Sequence, residues 1–353
     1  MLLAAVCTAN ASNLTTASND DDAPITDGPY VSISPNQLSY HYVCHDKVHQ
    51  DKRTISTLPH QFSACGLMAD IPNLTFKTDL LEYHGDFKVA ALSDLHGQYD
   101  LMKTLLVNNG IISAQGDWAF GKGHFVITGD VFDRGDKVTE ILWFLYRLEK
   151  QAEAAGGKVH LLLGNHEVMV LNGDLRYLHP KYVKAAKILA TDFEELFSKT
   201  TVLGQWLRSK SVLVKINNAL YAHGGFHPEL AQKKHSLQEI NSVFKKSLIK
   251  AELPQPREGF ARFLHKSNGP IWYRGYFKDD GATADEIDLL LKHFEIEHLI
   301  VGHTSQKKIE ARYQGKVIAI DSSIKKGEYG ELLIIDDKTL MRGTLSGELL
   351  AIK

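Results

Sequence analysis

The sequence predicts an α/β fold, and two patterns of spacing lead to that reading. Apolar runs of strand length at residues 87–92, 124–128 and 159–163 are separated by segments with helical periodicity at 98–107 and 138–155. The second of these segments carries Ile141, Leu142, Leu145 and Leu148 on one face. Strands that alternate with helices make a largely parallel sheet. Further apolar runs at 212–216, 220–222, 299–301, 317–320 and 332–335 follow with shorter connections, as expected of a second, mixed sheet. No internal repeat interrupts this order.

Three segments are expected along the chain: a leader over residues 1–27, an extension over 28–86 that packs on the main domain, and a catalytic domain over 87–353. Residues 1–11 read MLLAAVCTANA and end in Ala9-Asn10-Ala11, the small-x-small pattern of signal-peptidase cleavage, without a basic n-region. They read as part of an export signal, so a periplasmic or secreted location is expected, with a cytoplasmic one as the alternative. Residues 12–27 are polar and acidic and read as a flexible leader. In the extension, short alternating pieces such as Tyr30-Val31-Ser32-Ile33 suggest strands. In an oxidising compartment Cys44 and Cys65 would form an even pair; otherwise they are ordinary thiols. His45 and His49 are spaced for one helical face beside Cys44, a weak hint of zinc without a second ligand pair.

With 40 basic and 42 acidic residues, the chain lacks the basic excess that nucleic acid usually demands. No apolar run approaches the ~20 residues of a membrane-spanning helix. A monomer with neither nucleic acid nor membrane as partner is expected.

Five polar motifs share one address, the end of a short apolar strand: Asp94-Leu95-His96-Gly97, the block from Gly129 to Gly135 (GDVFDRG), Gly164-Asn165-His166-Glu167, His223-Gly224-Gly225 and Gly302-His303-Thr304. Loops at the carboxyl ends of strands converge in α/β proteins, so these motifs build one site. Carboxylate, amide and imidazole donors without thiolate suit Mn, Fe or Zn in a catalytic centre. Two cations ~3.5–4 Å apart need an anionic bridge, and Asp130, in the central motif, is the best candidate. The glycines beside Asp130, Asn165, His223 and His303 are expected to let the backbone turn sharply. Each motif alone is weak; all five in this order are not.

These motifs resemble the calcineurin-like metallophosphatases of the phosphoprotein phosphatase superfamily, over about two thirds of the chain. The resemblance implies two mixed β-sheets packed as a central sandwich flanked by helices. It also implies two divalent metal ions, one held by Asp94, His96 and Asp130, the other by Asp130, Asn165, His223 and His303. Some relatives have a further histidine where this chain has Ser305, which leaves the first ion with three protein ligands. Arg134 and Asn165 are expected to bind the phosphoryl group. His166 is the implied general acid, oriented by Asp133 as a carboxylate orients a catalytic histidine. Arg274, within Gly269-Pro270-Ile271-Trp272-Tyr273-Arg274-Gly275, resembles a second phosphate-binding arginine, while Trp272 and Tyr273 there are equally readable as a core anchor. The expected chemistry is direct attack of metal-activated water on a phosphomonoester, without a phosphoenzyme. Cysteine catalysis is excluded: a Cys-x5-Arg nucleophile loop needs Arg six positions on, where Cys7, Cys44 and Cys65 are followed by Asn13, Gln50 and Ile71.

The GPIWYRG block and the tail after His303 look most like the Shewanella-like protein phosphatases, a group that tends to prefer phosphotyrosine. A phosphorylated protein or peptide is therefore the expected substrate. Phe132, Trp272, Tyr273, Tyr276 and Phe277 are candidates to pack against its phenyl ring. A Ser/Thr phosphatase or a diadenosine tetraphosphate hydrolase is the alternative, although the latter typically has Asp where this chain has Glu167. A metallo-nuclease lacks the basic face it would need, and an inactive binding scaffold should have lost a ligand or His166.

Overall fold

The computed structural model describes residues 23–352. Residues 1–22, with most of the leader and Cys7, lie outside the described residues. The chain opens with β1 (Asp27–Ser34), β2 (Gln37–Cys44) and β3 (Lys47–Thr54), an antiparallel three-stranded sheet, followed by the hairpin β4 (His60–Ala64) and β5 (Leu67–Ile71). Then come β6 (Glu82–Tyr83), β7 (Val89–Leu92), α1 (Tyr99–Asn108), β8 (His124–Ile127), α2 (Val138–Ala154), β9 (Lys158–Leu161), α3 (Asn165–Val170), α4 (Pro180–Leu189) and α5 (Val202–Ser209). The second half adds β10 (Leu213–Ile216), β11 (Ala219–Ala222), α6 (Glu229–Gln232), α7 (Leu237–Lys246), α8 (Gly259–Leu264), α9 (Ala284–Phe294), β12 (His298–Val301), β13 (Glu310–Arg312), β14 (Val317–Ala319), β15 (Leu332–Asp336), β16 (Thr339–Gly343) and β17 (Leu349–Ala351).

Two six-stranded mixed sheets form the centre, in the orders β17-β16-β15-β7-β8-β9 and β13-β14-β12-β11-β10-β6. The period of two along each strand explains the sandwich. Val89, Ala91, Val126, Val214, Ile216, Tyr221, Ile300, Ile318 and Leu333 come from both sheets and pack in one core. Their neighbours Ala90, Leu92, Phe125, Ile127, Leu213, Leu220, Leu299 and Leu332 face the other way, into the larger core shared with the helices. Every one of these side chains is buried, which is why the strands read as unbroken apolar runs.

The run at 332–335 was expected in the second sheet. The structure puts it in the first, where β15 pairs antiparallel with β7, Leu333 opposite Ala91. That pairing joins segments far apart in sequence, and strand spacing along the chain carries no information about it. Glu82–Tyr83, inside the stretch read as the extension, pairs in parallel with β10 of the second sheet.

The N-terminal strands cover α2, α4 and α5. The Trp143 indole donates to the Pro29 carbonyl (2.9 Å), Tyr30 meets Phe197 edge-on (5.9 Å between ring centres), and Lys181 pairs with buried Asp27 (3.3 Å). Order begins before residue 28: the Ile25 amide donates to Asp46 (2.9 Å) and Asp27 opens β1. Cys44 and Cys65 form a disulfide, with 6.1 Å between Cα atoms. The helical face imagined for His45 and His49 does not exist, because His45 sits in a turn and His49 on β3, stacked on Tyr42 at 5.2 Å.

Candidate active site

Strands β7, β8 and β9 are parallel to one another, as are β11 and β12. Their carboxyl ends meet on one edge of the sandwich and bring Asp94, His96, Asp130, Asp133, Asn165, His166, His223 and His303 together, all buried. Asp130 stands at the centre. Its Oδ2 lies 3.1 Å from His223 Nε2, 3.7 Å from His96 Nε2 and 3.8 Å from His166 Nε2, while Oδ1 accepts from the His166 amide at 3.0 Å. Burial would raise its carboxyl, but the imidazoles of His223, His166 and His96 outweigh that and hold it well below the usual carboxylate range.

The donor set fits a divalent cation. His223 Nδ1 faces the Thr128 carbonyl (3.1 Å) and is the donor there, so Nε2 presents a lone pair. That lone pair faces Asn165 Oδ1 (2.9 Å), His303 Nδ1 (3.1 Å) and Asp130 Oδ2, a convergence of acceptors that calls for a positive charge between them. In the protein alone a proton answers it: burial would lower the His223 imidazole, yet Asp130 and Asp94 hold it up at about 9. A metal ion at the same place would take the proton's role. Burial keeps His96, lowered to about 3, and His303 neutral, as ligands must be. His303 Nε2 is buried with no partner. His96 Nδ1 donates to the Phe132 carbonyl (2.7 Å) and directs Nε2 toward Asp94 Oδ1 (3.8 Å) and Asp130. Two groups, His96 with Asp130 and His166, and Asp130 with His223 and His303, are compact enough to hold an ion.

The backbone is bent to achieve this. Asp94, His96, Asp130, Asp133, Arg134 and His303 all have left-handed φ, between 42° and 69°, a region that non-glycine residues enter at a cost. Of the four glycines expected to provide sharp turns, Gly129 does so, with φ 108°. Gly164 serves close approach instead: a Cβ there would lie 2.3 Å from Asp130 Oδ1. Gly224 and Gly302 are likewise crowded, not left-handed.

Asp133 does not pair with Arg134. Its Oδ2 holds His166 Nδ1 at 2.5 Å, and the Arg134 side chain points to solvent over the Tyr177 ring (5.2 Å). Arg274 donates to the His303 carbonyl (2.9 Å) and to Thr304 Oγ1 (3.1 Å), at the same mouth.

Sequence reasoning missed Glu167 as a working residue. Its buried carboxylate accepts from the amides of Asp130 (2.8 Å), Val131 (2.7 Å) and Gly164 (2.7 Å), locking two site loops to each other. Its place three residues into a helix after Gly164 was the available signal. Asp321 was also missed; burial and the Asp94 charge raise its carboxyl to about 7, and it accepts from Ser305 at 2.5 Å. Tyr177 was the third, 45% exposed with its ring 5.3 Å from that of His166. Conversely, Phe132, Tyr273 and Tyr276 are core residues, Phe132 against Phe197 and the Tyr276 hydroxyl bonded to the Phe226 backbone. Phe277 is partly buried under Arg312, and Trp272 stands edge-on to His303 at 5.6 Å.

Residues 87–307 match the model of the calcineurin-like phosphoesterase family. Shewanella-like protein phosphatase 2 of Arabidopsis thaliana is 38% identical over 68% of this chain and 72% of its own length. Shewanella-like protein phosphatase 1 of Plasmodium berghei is 27% identical over 65% of this chain and 64% of its own length. A solved structure of a cold-active protein-tyrosine phosphatase from a psychrophilic Shewanella superposes with a TM-score of 0.87 at 41% identity, covering 93% of this chain and all of that one. The buried, acceptor-rich centre at the strand ends and the family match over 87–307 agree: the chain belongs to the calcineurin-like phosphoesterases, with the Shewanella-like protein phosphatases among its relatives.

Proposed function

We propose that the chain is a dinuclear phosphomonoester hydrolase that acts on phosphoproteins and prefers phosphotyrosine. One observation carries the reading: the donor set centred on Asp130 is bordered by two aromatic rings that are not lost to the core, Tyr177 beside His166 and Trp272 beside His303. The likeness to a solved protein-tyrosine phosphatase at 41% identity supports it.

Asp94, His96 and Asp130 would hold one divalent cation and Asp130, Asn165, His223 and His303 a second, and bound there such ions would supply charge neutralisation for the phosphoryl dianion and a lowered pKa for water. The protein does the rest. Arg134, exposed and in no ion pair among the described residues, and Arg274, anchored at His303, present guanidinium forks to phosphoryl oxygens. His166 gives its Nε2 proton to the leaving oxygen as the phosphorus–oxygen bond breaks. Asp133 fixes the tautomer by accepting from Nδ1. Burial would lower the His166 imidazole, but the charges of Asp130 and Asp133 outweigh it and raise it, which favours the protonated form that an acid needs. Tyr177 and Trp272 offer faces and edges to a phenyl leaving group.

Matched phosphopeptides test the reading. kcat/KM should be highest for phosphotyrosine and vanish with chelator. A clear preference for phosphoserine or phosphothreonine overturns the selectivity, and a preference for diadenosine tetraphosphate moves the chain to nucleotide hydrolysis.

A further inference from the structure

A cavity of about 1340 Å³ opens from the metal site at Asn165, Trp272 and Arg274 and runs along residues 250–286. Sites for one small molecule are ~300–1,000 Å³, so the space exceeds what a phenyl phosphate fills. Its charges are one-sided although the whole chain carries -2. Lys250, Arg262, Lys266 and Lys278 line it, all exposed and none in an ion pair among the described residues. Of the acids on the same wall, Asp174 is held by Arg176 (2.8 Å) and Glu286 caps its own helix at the Thr283 amide (2.9 Å), leaving Asp280. Leu253, Pro254 and Pro256, with Val168 and Met169, add apolar surface to the same lining.

We propose that this groove binds acidic residues flanking the phosphorylated residue, so that the substrate of the site is an acidic phosphopeptide segment. The inference rests on the phosphoprotein phosphatase reading. With the phosphoryl group at Arg134 and Arg274, the chain on one side of it passes over the four free cations. Aspartate and glutamate there gain partners that cost no existing ion pair, and apolar side chains find the Leu253–Pro256 wall. A mixed charged and apolar trough of this size favours a peptide over a polyphosphate nucleotide.

The test compares two phosphotyrosine peptides of equal length, one flanked by Asp and Glu, the other by Asn and Gln. The wild-type protein should favour the acidic peptide about tenfold in kcat/KM at about 50 mM salt, with the ratio falling toward one at about 500 mM. The double variant Lys250→Glu, Lys266→Glu should lose or invert the ratio. Because the ratio is taken within one preparation, a misfolded fraction cancels. Both peptides turned over equally at low salt, or a ratio unchanged in the double variant, overturns the groove and leaves the phosphotyrosine reading intact. Hydrolysis of diadenosine tetraphosphate with neither peptide cleaved overturns both.

Discussion

The two walls of the cleft are built on opposite plans. The wall at the ends of β7, β8 and β9 is buried, cross-braced by Glu167 and set in strained backbone, with nearly every polar atom committed to another site residue. The wall over residues 250–286 is made of short helical turns and loops, and its Lys250, Arg262, Lys266 and Lys278 face solvent with no ion pair among the described residues. Chemistry requires atoms fixed to fractions of an ångström, and only packed strand ends provide that. Selection among substrates is a matter of summed charge and shape, which exposed side chains supply at little structural cost. A change on the first wall should therefore fall mainly on kcat, and one on the second on kcat/KM ratios between substrates.

The largest effect expected is at the centre. Asp130→Asn removes the charge that faces His96, His166 and His223 together and should cost on the order of 10³-fold in kcat. Metal analysis of the purified variant should find fewer bound ions. Near-normal turnover in Asp130→Asn, or in chelated wild-type protein, breaks the contrast at its root.

His166→Asn comes next, at roughly 10²-fold on alkyl phosphates, whose leaving groups need a proton, and less on p-nitrophenyl phosphate. The pH dependence has a definite sign. An acid whose folded value is raised above its ordinary 6.5 keeps its proton to a higher pH than a free imidazole does, so alkyl phosphate turnover should decline as pH rises beyond that raised value. The decline should be absent in His166→Asn. Equal losses on both substrates would take the proton donor elsewhere.

Glu167→Ala sharpens the comparison because the residue is walled off from substrate. Three buried amides lose their acceptor, and a small drift of the Asp130 loop should lower kcat by ~10-fold or more with KM nearly unchanged. A lower melting temperature should accompany it. A drop in melting temperature with kcat intact would show that the brace serves the fold and not the geometry of the site.

What could be read from the sequence divides along the same line. Asp94, His96, Asp130, Asn165, His166, His223 and His303 were legible because each follows an apolar strand and the strands run parallel, so local motif and global position coincide. The sandwich itself followed from the resemblance; the pairing of β15 with β7 did not, since it depends on a contact distant in sequence. Tyr177 escaped because nothing in its own segment marks it, and it reaches His166 only through the path of the loop before α4. Phe132 and Tyr276 misled for the converse reason, and Tyr273 took the core-anchor reading that had been left open: nearness in sequence to Arg134 or Arg274 says nothing about which way a ring turns. The groove was invisible because only Arg262 and Lys266 share a helical spacing, while Lys250 and Lys278 reach the same cavity through the path of the loops.

The left-handed φ angles at Asp94, His96, Asp130, Asp133, Arg134 and His303 bear on how such a chain ages in evolution. Each holds the folded state slightly above the energy an unstrained residue would allow, by roughly 1 kcal/mol for the bulkier side chains. Catalysis and thermal robustness thus draw on the same residues in opposite directions. A descendant released from the need to hydrolyse phosphate would find glycine an easy gain at Arg134, whose side chain is exposed, but not at Asp94, Asp130 or Asp133, whose carboxylates accept from His303 and His166 in the interior.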